Sequence, residues 1–259
     1  MSTMSYHAFW SLRRAPFGSG ELGQSFHSAK PQKEAFARLH YLVENGHGTG
    51  VLIGELGSGR TTLLNQVASS RGFGDTAVDV ALTTCAHRTT AESLQNLTMQ
   101  LGVCNGEAPW RAIGDRILAS ARQQVRTLWL IDDATAEIAQ LAGSLVSENR
   151  WLTVIASTHP ENLPSLAVNL GQCPLRIDLP TFSLRDTMQF VRARIKDAGG
   201  TTQIFSDSAL VRMHELGDGR IGIIAHLAEL ALSSGATHGL SEIQAEWIEA
   251  VQDEFVRAA

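Results

Sequence analysis

Val51-Leu52-Ile53-Gly54-Glu55-Leu56-Gly57-Ser58-Gly59-Arg60-Thr61-Thr62 joins an apolar run to a helical pattern that begins at Leu63 and Leu64. From Gly54 onward it follows G-x-x-x-x-G-K-[ST] at every position but one, with Arg60 standing where the pattern has lysine. Glycines at 54, 57 and 59 let the backbone take positive φ and curl round an anion, so that successive N–H groups point inward as a nest. The helix that follows adds the partial positive charge of its N-terminus. The stretch therefore reads as a phosphate-binding loop, with Gly54, Glu55, Leu56, Gly57, Ser58, Gly59, Arg60, Thr61 and Thr62 as contact residues. Thr61 is placed to offer its hydroxyl to Mg²⁺. Arg60 keeps the charge but replaces an ammonium on a flexible stem by a bulkier planar fork. Binding through backbone donors tolerates that exchange, whereas alignment of the reacting phosphates depends on the shape of the cation.

A phosphate loop needs an acidic partner for the metal, and Leu128-Trp129-Leu130-Ile131-Asp132-Asp133 supplies one, an apolar strand ending in two carboxylates. Asp132 is expected to hold Mg²⁺ through its water shell opposite Thr61. Asp133 is expected to orient or deprotonate an attacking water, so Asp133 and Arg60 are the candidate catalytic residues. Ser157 and Thr158, at the end of Trp151–Ala156, read equally as polar residues of this site and as ordinary strand-end residues. His159 reads as a loop residue. Two arginines are candidates for a phosphate contact: Arg176, just before the last strand, as a finger into a neighbouring subunit, and Arg220, at a helix start. Each also reads as a surface arginine.

Around this stretch, strands expected at 51–53, 75–82, 127–133, 151–156 and 175–179 alternate with helical patterns at about 31–44, 90–101 and 110–122 and a short one ending near 170. The reading is an α/β fold, a three-layer P-loop sandwich with a parallel five-stranded sheet. After Pro180 the pattern is helical only, at 183–198, 207–216, 220–234 and 241–257, with Ser206, Asp207 and Ser241 as cap candidates. The expected division is an irregular aromatic arm (1–30, with Tyr6, Phe9, Trp10, Phe17 and Phe26), a core (31–180) and a small all-α lid (181–259). The 259 residues are 44% hydrophobic, enough to bury a core, and 21 basic against 26 acidic side chains give a net charge of −5. That balance disfavours an electrostatic nucleic-acid binder. Cys85, Cys104 and Cys173 form no C-x-x-C pair, which points to inert thiols in a reducing compartment, and no window approaches a membrane span. A cytoplasmic protein is expected.

The order of elements resembles the AAA+ ATPases of the general secretion pathway A type and, more distantly, AAA+ regulators of DNA transposition. The resemblance covers nearly the whole chain. It runs through Tyr6-His7-Ala8-Phe9-Trp10, Ala15-Pro16-Phe17 and Glu34-Ala35-Phe36-Ala37-Arg38-Leu39 to Gly54–Thr61 and Leu130-Ile131-Asp132-Asp133-Ala134. In the lid it is carried by Leu179-Pro180-Thr181-Phe182-Ser183-Leu184, Phe190-Val191-Arg192-Ala193-Arg194-Ile195, Phe205–Leu210 and Leu227–Leu232. It implies an ATP-dependent protein that works as an oligomer or with a partner protein, nucleotide lying between subunits. Three positions depart from the family: Arg60 for lysine, Asp133 for glutamate, and Gly217–Gly222 for a Gly-Gly-x-Pro-Arg sensor whose arginine falls on Gly222. The departures lead to two expectations, a slow ATPase or a nucleotide-held scaffold that does not turn over; a DNA-associated regulator of the transposition kind is a third, against which the slightly acidic charge balance counts. The chain ends at Ala259, short of the membrane segment and peptidoglycan-binding region of full-length members, so a direct envelope role is not expected.

Overall fold

The computed structural model describes residues 5–17, 29–70, 72–103, 109–171, 173–201 and 203–258, the last six by their backbone only. Phe26 and Cys104, and with them part of the expected arm, lie outside this set. The chain runs α1 (Tyr6–Phe9), α2 (Lys30–Glu44), β1 (Thr49–Ile53), α3 (Arg60–Ala68), β2 (Ala77–Thr84), α4 (Thr90–Gln100) and α5 (Pro109–Arg122). Then follow β3 (Val125–Asp132), α6 (Ala136–Glu148), β4 (Leu152–Thr158), a 3₁₀ turn (Pro160–Asn162), α7 (Leu163–Asn169) and β5 (Leu175–Asp178). Four helices complete it: α8 (Leu184–Asp197), α9 (Asp207–Gly217), α10 (Ile221–Thr237) and α11 (Ala245–Ala258). Two units result, a sheet unit of residues 32–55 and 60–179 and a helical unit of residues 1–31, 56–59 and 180–259. The middle of the glycine loop thus groups with the helices, a division the sequence pattern does not suggest.

In the sheet unit all five strands are parallel, in the order β2-β3-β4-β1-β5. Strands covered on both faces read as continuous apolar runs, and β1 and β4 are buried at every residue. Alternation assigns the faces. Val51, Ile53, Trp129, Ile131, Val154 and Ala156 share one cluster with Leu97, Ile113, Ile117, Ile138, Leu145 and Leu166 of α4 to α7. Leu52, Leu128, Leu130 and Ile155 point to the other face and are equally buried, and α3 packs against β2 and β3. The strand order is what builds the site, because it inserts β4 between β1 and β3 and brings their C-terminal ends together. Ile53 lies in register with Thr158, and Ile131 with Ala156.

Several boundaries differ from the sequence reading. The strand of the two carboxylates stops at Asp132, and Asp133 lies outside it with φ +50°. Conversely β4 continues through Ser157 and Thr158, which are therefore strand residues. Helix α6, to which the sequence reading assigns no element, has its own N-cap in Thr135 and buries Ile138, Ala139, Ala142 and Leu145 at helical spacing. The last helix starts at Ala245, not at 241. Ile243 instead bridges to Phe205 in extended form, so Ser241 caps nothing, whereas Ser206 does cap α9.

In the helical unit the aromatic opening belongs to the core. Trp10, Leu12 and Phe17 are buried in one cluster with Phe190, Leu210, Met213, Ile224, Leu232 and Ile248. Trp10 donates its indole N–H to the Leu232 carbonyl at 2.8 Å, and Arg194 Nε donates to the Pro16 carbonyl at 2.7 Å. Tyr6 donates to the Glu229 carboxylate, and burial pushes its hydroxyl well above the ordinary range. No helix among the described residues is long and apolar enough to cross a membrane.

Candidate functional site

The site of the sheet unit is a chain of hydrogen bonds at the C-terminal ends of β3 and β4. Ser157, fully buried, donates from Oγ to Asp132 Oδ1 at 2.6 Å and accepts the Asp133 backbone N–H at 2.9 Å. Thr61, in the first turn of α3, donates from Oγ1 to Asp132 Oδ2 at 2.7 Å. Both oxygens of the Asp132 carboxylate are thereby engaged, and the group is 5% exposed. A buried carboxylate must find such partners, because unpaired burial of a charge costs several kcal/mol. The backbone holds the same residues: the Cys85 N–H donates to the Asp132 carbonyl and the Ala134 N–H to the Ser157 carbonyl, each at 2.9 Å.

Asp133 sits differently. Its left-handed backbone, a conformation aspartate tolerates better than most residues, turns the side chain away from the strand. There Asp133 Oδ1 pairs with Arg60 Nη2 at 2.8 Å. The two partners are unequal: the Arg60 side chain is 8% exposed and that of Asp133 39%. The other terminal nitrogen of Arg60, Nη1, is buried and has no hydrogen-bond partner. The two residues that depart from the family pattern in this unit are thus bonded to each other.

Glu55 and His159 form a second pair in the sheet unit, Oε2 to Nε2 at 2.6 Å. His159 is indeed a loop residue, as expected, but it tethers the start of the glycine loop to the end of β4, a role that spacing alone does not show. Gly54 is tied the same way through its N–H to the Thr158 carbonyl at 3.3 Å. Thr62 is a half-buried residue of α3. Arg176 is bonded through Nε and Nη2 to its exposed strand neighbour Asp178, so the finger candidate carries its own counter-ion.

Whether these residues suit phosphate and Mg²⁺ can be tested on the donor set. The loop glycines Gly57 and Gly59 have φ of +81° and +97°, as a nest of inward N–H groups requires. The Arg60 Nη1 and Ser58 Oγ atoms are buried polar groups without partners, and phosphate oxygens are the acceptors that would satisfy them. Thr61 and Asp132 offer oxygen only, as a hard cation prefers. Beside them a cleft of about 320 Å³ is lined by Asn65, Thr84, Arg88, Asn96 and Gln100. Six waters at roughly 30 Å³ each would fill about 180 Å³, so a hydrated cation has room. No group of three His, Cys, Asp or Glu side chains arranged to hold a metal ion occurs among the described residues. The residues present fit both groups.

In the helical unit, Gly57 and Gly222 meet backbone to backbone. The Gly222 N–H donates to the Gly57 carbonyl at 2.8 Å, and a Cβ on Gly222 would lie 3.2 Å from Gly57 Cα. A side chain at 222 would therefore press on the loop backbone. Arg220 stands at the N-cap position of α10 without a side-chain cap bond and donates from Nε to the Gly217 carbonyl at 3.2 Å.

Comparison with known proteins agrees with this geometry. Residues 43–153 match the family model for an AAA domain. Over 265 residues the chain is 24% identical to general secretion pathway protein A of Aeromonas hydrophila, spanning 92% of this chain and 46% of that protein, less than half its length. Among solved structures, the ORC1 protein of Aeropyrum pernix, in complex with DNA, superposes with a TM-score of 0.72 at 12% identity, covering 94% of this chain and 69% of that one. The ORC2 protein of the same organism, in its ADP form, gives 0.65 at 15% identity, covering 92% and 72%. At such identities these two show a shared fold.

Proposed function

We propose that this chain, an AAA+ protein related to general secretion pathway protein A, binds ATP with Mg²⁺ at Gly54–Thr62 and hydrolyses it slowly. The observation that carries the reading is the Thr61–Asp132–Ser157 hydrogen-bond chain, which completes the metal side of a phosphate loop from three separate elements. In this reading the loop backbone, Ser58 and Arg60 hold phosphate oxygens. Thr61 and Asp132 hold Mg²⁺, Asp132 through water. The ion, when bound, neutralises phosphate charge and polarises the bond to the leaving oxygen. Asp133 orients a water against the terminal phosphorus and accepts its proton as the new P–O bond forms and the bond to the diphosphate oxygen breaks. Ser157 holds both aspartates in place.

The slowness follows from Asp133. Aspartate is one methylene shorter than glutamate, and a base misplaced by about 1 Å loses on the order of a hundredfold in rate. The proposed organisation keeps the arm at 1–30, the core at 31–180 and the lid at 181–259, with Arg220 contributing a phosphate contact from the lid. Lid movement on hydrolysis, within a homo-oligomer or against a partner protein in the cytoplasm, is the proposed output, and service to a secretion pathway rests on the relative's name. A nucleotide-held scaffold without turnover is the second reading, favoured by the ion pair that occupies Asp133. Mg²⁺-dependent ATP binding and steady-state turnover on one sample, with Asp133→Asn as control, separate the two. Turnover abolished by the substitution supports the ATPase, and binding without turnover supports the scaffold.

A further inference from the structure

Arg60 is buried and Asp133 is partly exposed. The guanidinium is more than nine-tenths buried at the start of α3, while the carboxylate that meets it is well over a third exposed, on a left-handed turn at the end of β3. One prong of the fork, Nη2, holds the carboxylate; the other, Nη1, is buried without a partner. A carboxylate and a phosphate present the same chemistry to a guanidinium, two oxygens in a plane matching two N–H groups. The Asp133 side chain therefore sits on the cation of the phosphate loop as an anion would. Resting on the phosphate reading of residues 54–62, we infer that Asp133 is a built-in competitor for that site, seated on Arg60 until the phosphate of a nucleotide displaces it.

The displacement links two events. Arrival of phosphate at Arg60 releases the Asp133 carboxylate, while the hydrogen bond from the Asp133 N–H to Ser157 keeps its backbone in place. The base is thus freed only when there is a phosphate to attack. The same contact weakens nucleotide binding, because each binding event must break it. Arginine suits this double duty better than lysine, since a fork can exchange its partners one prong at a time.

Titration of ADP without Mg²⁺ into the whole chain tests the competition, comparing wild type, Asp133→Asn, Arg60→Gln and the double variant by calorimetry and ADP-induced thermal shift, which reads weak sites. Asparagine tolerates the left-handed backbone at 133, and Asp133→Ser serves if it does not fold. Competition predicts that Asp133→Asn tightens ADP binding about three- to tenfold, the size of a partly exposed ion pair, and that the gain vanishes when Arg60 is Gln. No gain in the wild-type background overturns the inference. An equal gain with and without Arg60 also overturns it, because that is a through-space effect of removing a negative charge. If neither wild type nor Asp133→Asn binds ADP, the phosphate reading falls as well; if wild type binds and the substitution changes nothing, only the competition falls.

Discussion

The Asp132 side of the site and the Asp133 side are adjacent in sequence and opposite in character. Asp132 ends a strand, is buried, and has both oxygens bonded to hydroxyls from α3 and β4. Asp133 has left the strand, is partly exposed, and is paired with the guanidinium that stands where the loop motif has lysine. The half proposed to hold the metal has the residues the loop motif calls for, while the half proposed to activate water departs from the expected pattern at Arg60 and Asp133. In the proposed reading metal binding and water activation rest on different carboxylates, which substitutions can address separately.

The largest effect should come from breaking the intact half. Asp132→Ala strands the buried Ser157 hydroxyl and removes the partner of Thr61, and should cost about 2–4 kcal/mol of stability and all turnover; equilibrium denaturation with an ATPase assay checks both. Ser157→Ala joins the two halves in one experiment, because that oxygen serves both aspartates. A loss of about 1–3 kcal/mol should accompany a ten- to hundredfold fall in turnover. Had Ser157 served Asp132 alone, metal-dependent binding would fall and the rate at saturation would not.

Much of this contrast was legible in the chain. Glycine spacing gave the loop, and the apolar run into two carboxylates gave β3, because both are local and both depend on residue type. The left-handed turn at Asp133 was not legible, since aspartate is common in strand-end turns of every kind. The Arg60–Asp133 bond was hidden for a different reason: its partners are 73 positions apart, and only the insertion of β4 between β1 and β3 brings them together. The Glu55–His159 tether was missed likewise, across 104 positions. Helix α6 carried a usable signal in Ile138, Ala139, Ala142 and Leu145, overshadowed by the two aspartates before it. The grouping of 56–59 with the helices was not legible either, since the backbone bond from Gly222 to Gly57 leaves no side-chain pattern to read.

A smaller effect sharpens the altered half. Arg60→Lys should raise turnover a few-fold by restoring a point charge to the loop, with stability nearly unchanged; no gain with binding intact would assign the slowness to Asp133 or to Gly222. The smallest effect is a control remote from both halves. Burial among Phe36 and Phe73 pushes the His40 imidazole below its ordinary value of 6.5. The unfolded chain then binds the proton more readily than the fold, so stability is present at neutral pH and is lost as pH drops below about 6.5. His40→Phe should flatten that acid slope in denaturation curves while leaving nucleotide binding alone.

The central claim, that the metal half binds while the altered half limits reaction, is tested most directly by one paired measurement. ATP affinity and steady-state turnover are determined with and without Mg²⁺ on the same sample of wild type and Asp133→Asn. The account predicts Mg²⁺-dependent binding by both, slow turnover by wild type, and none by the variant. Absence of saturable ATP binding by either protein, or turnover that survives loss of Asp133, would contradict it.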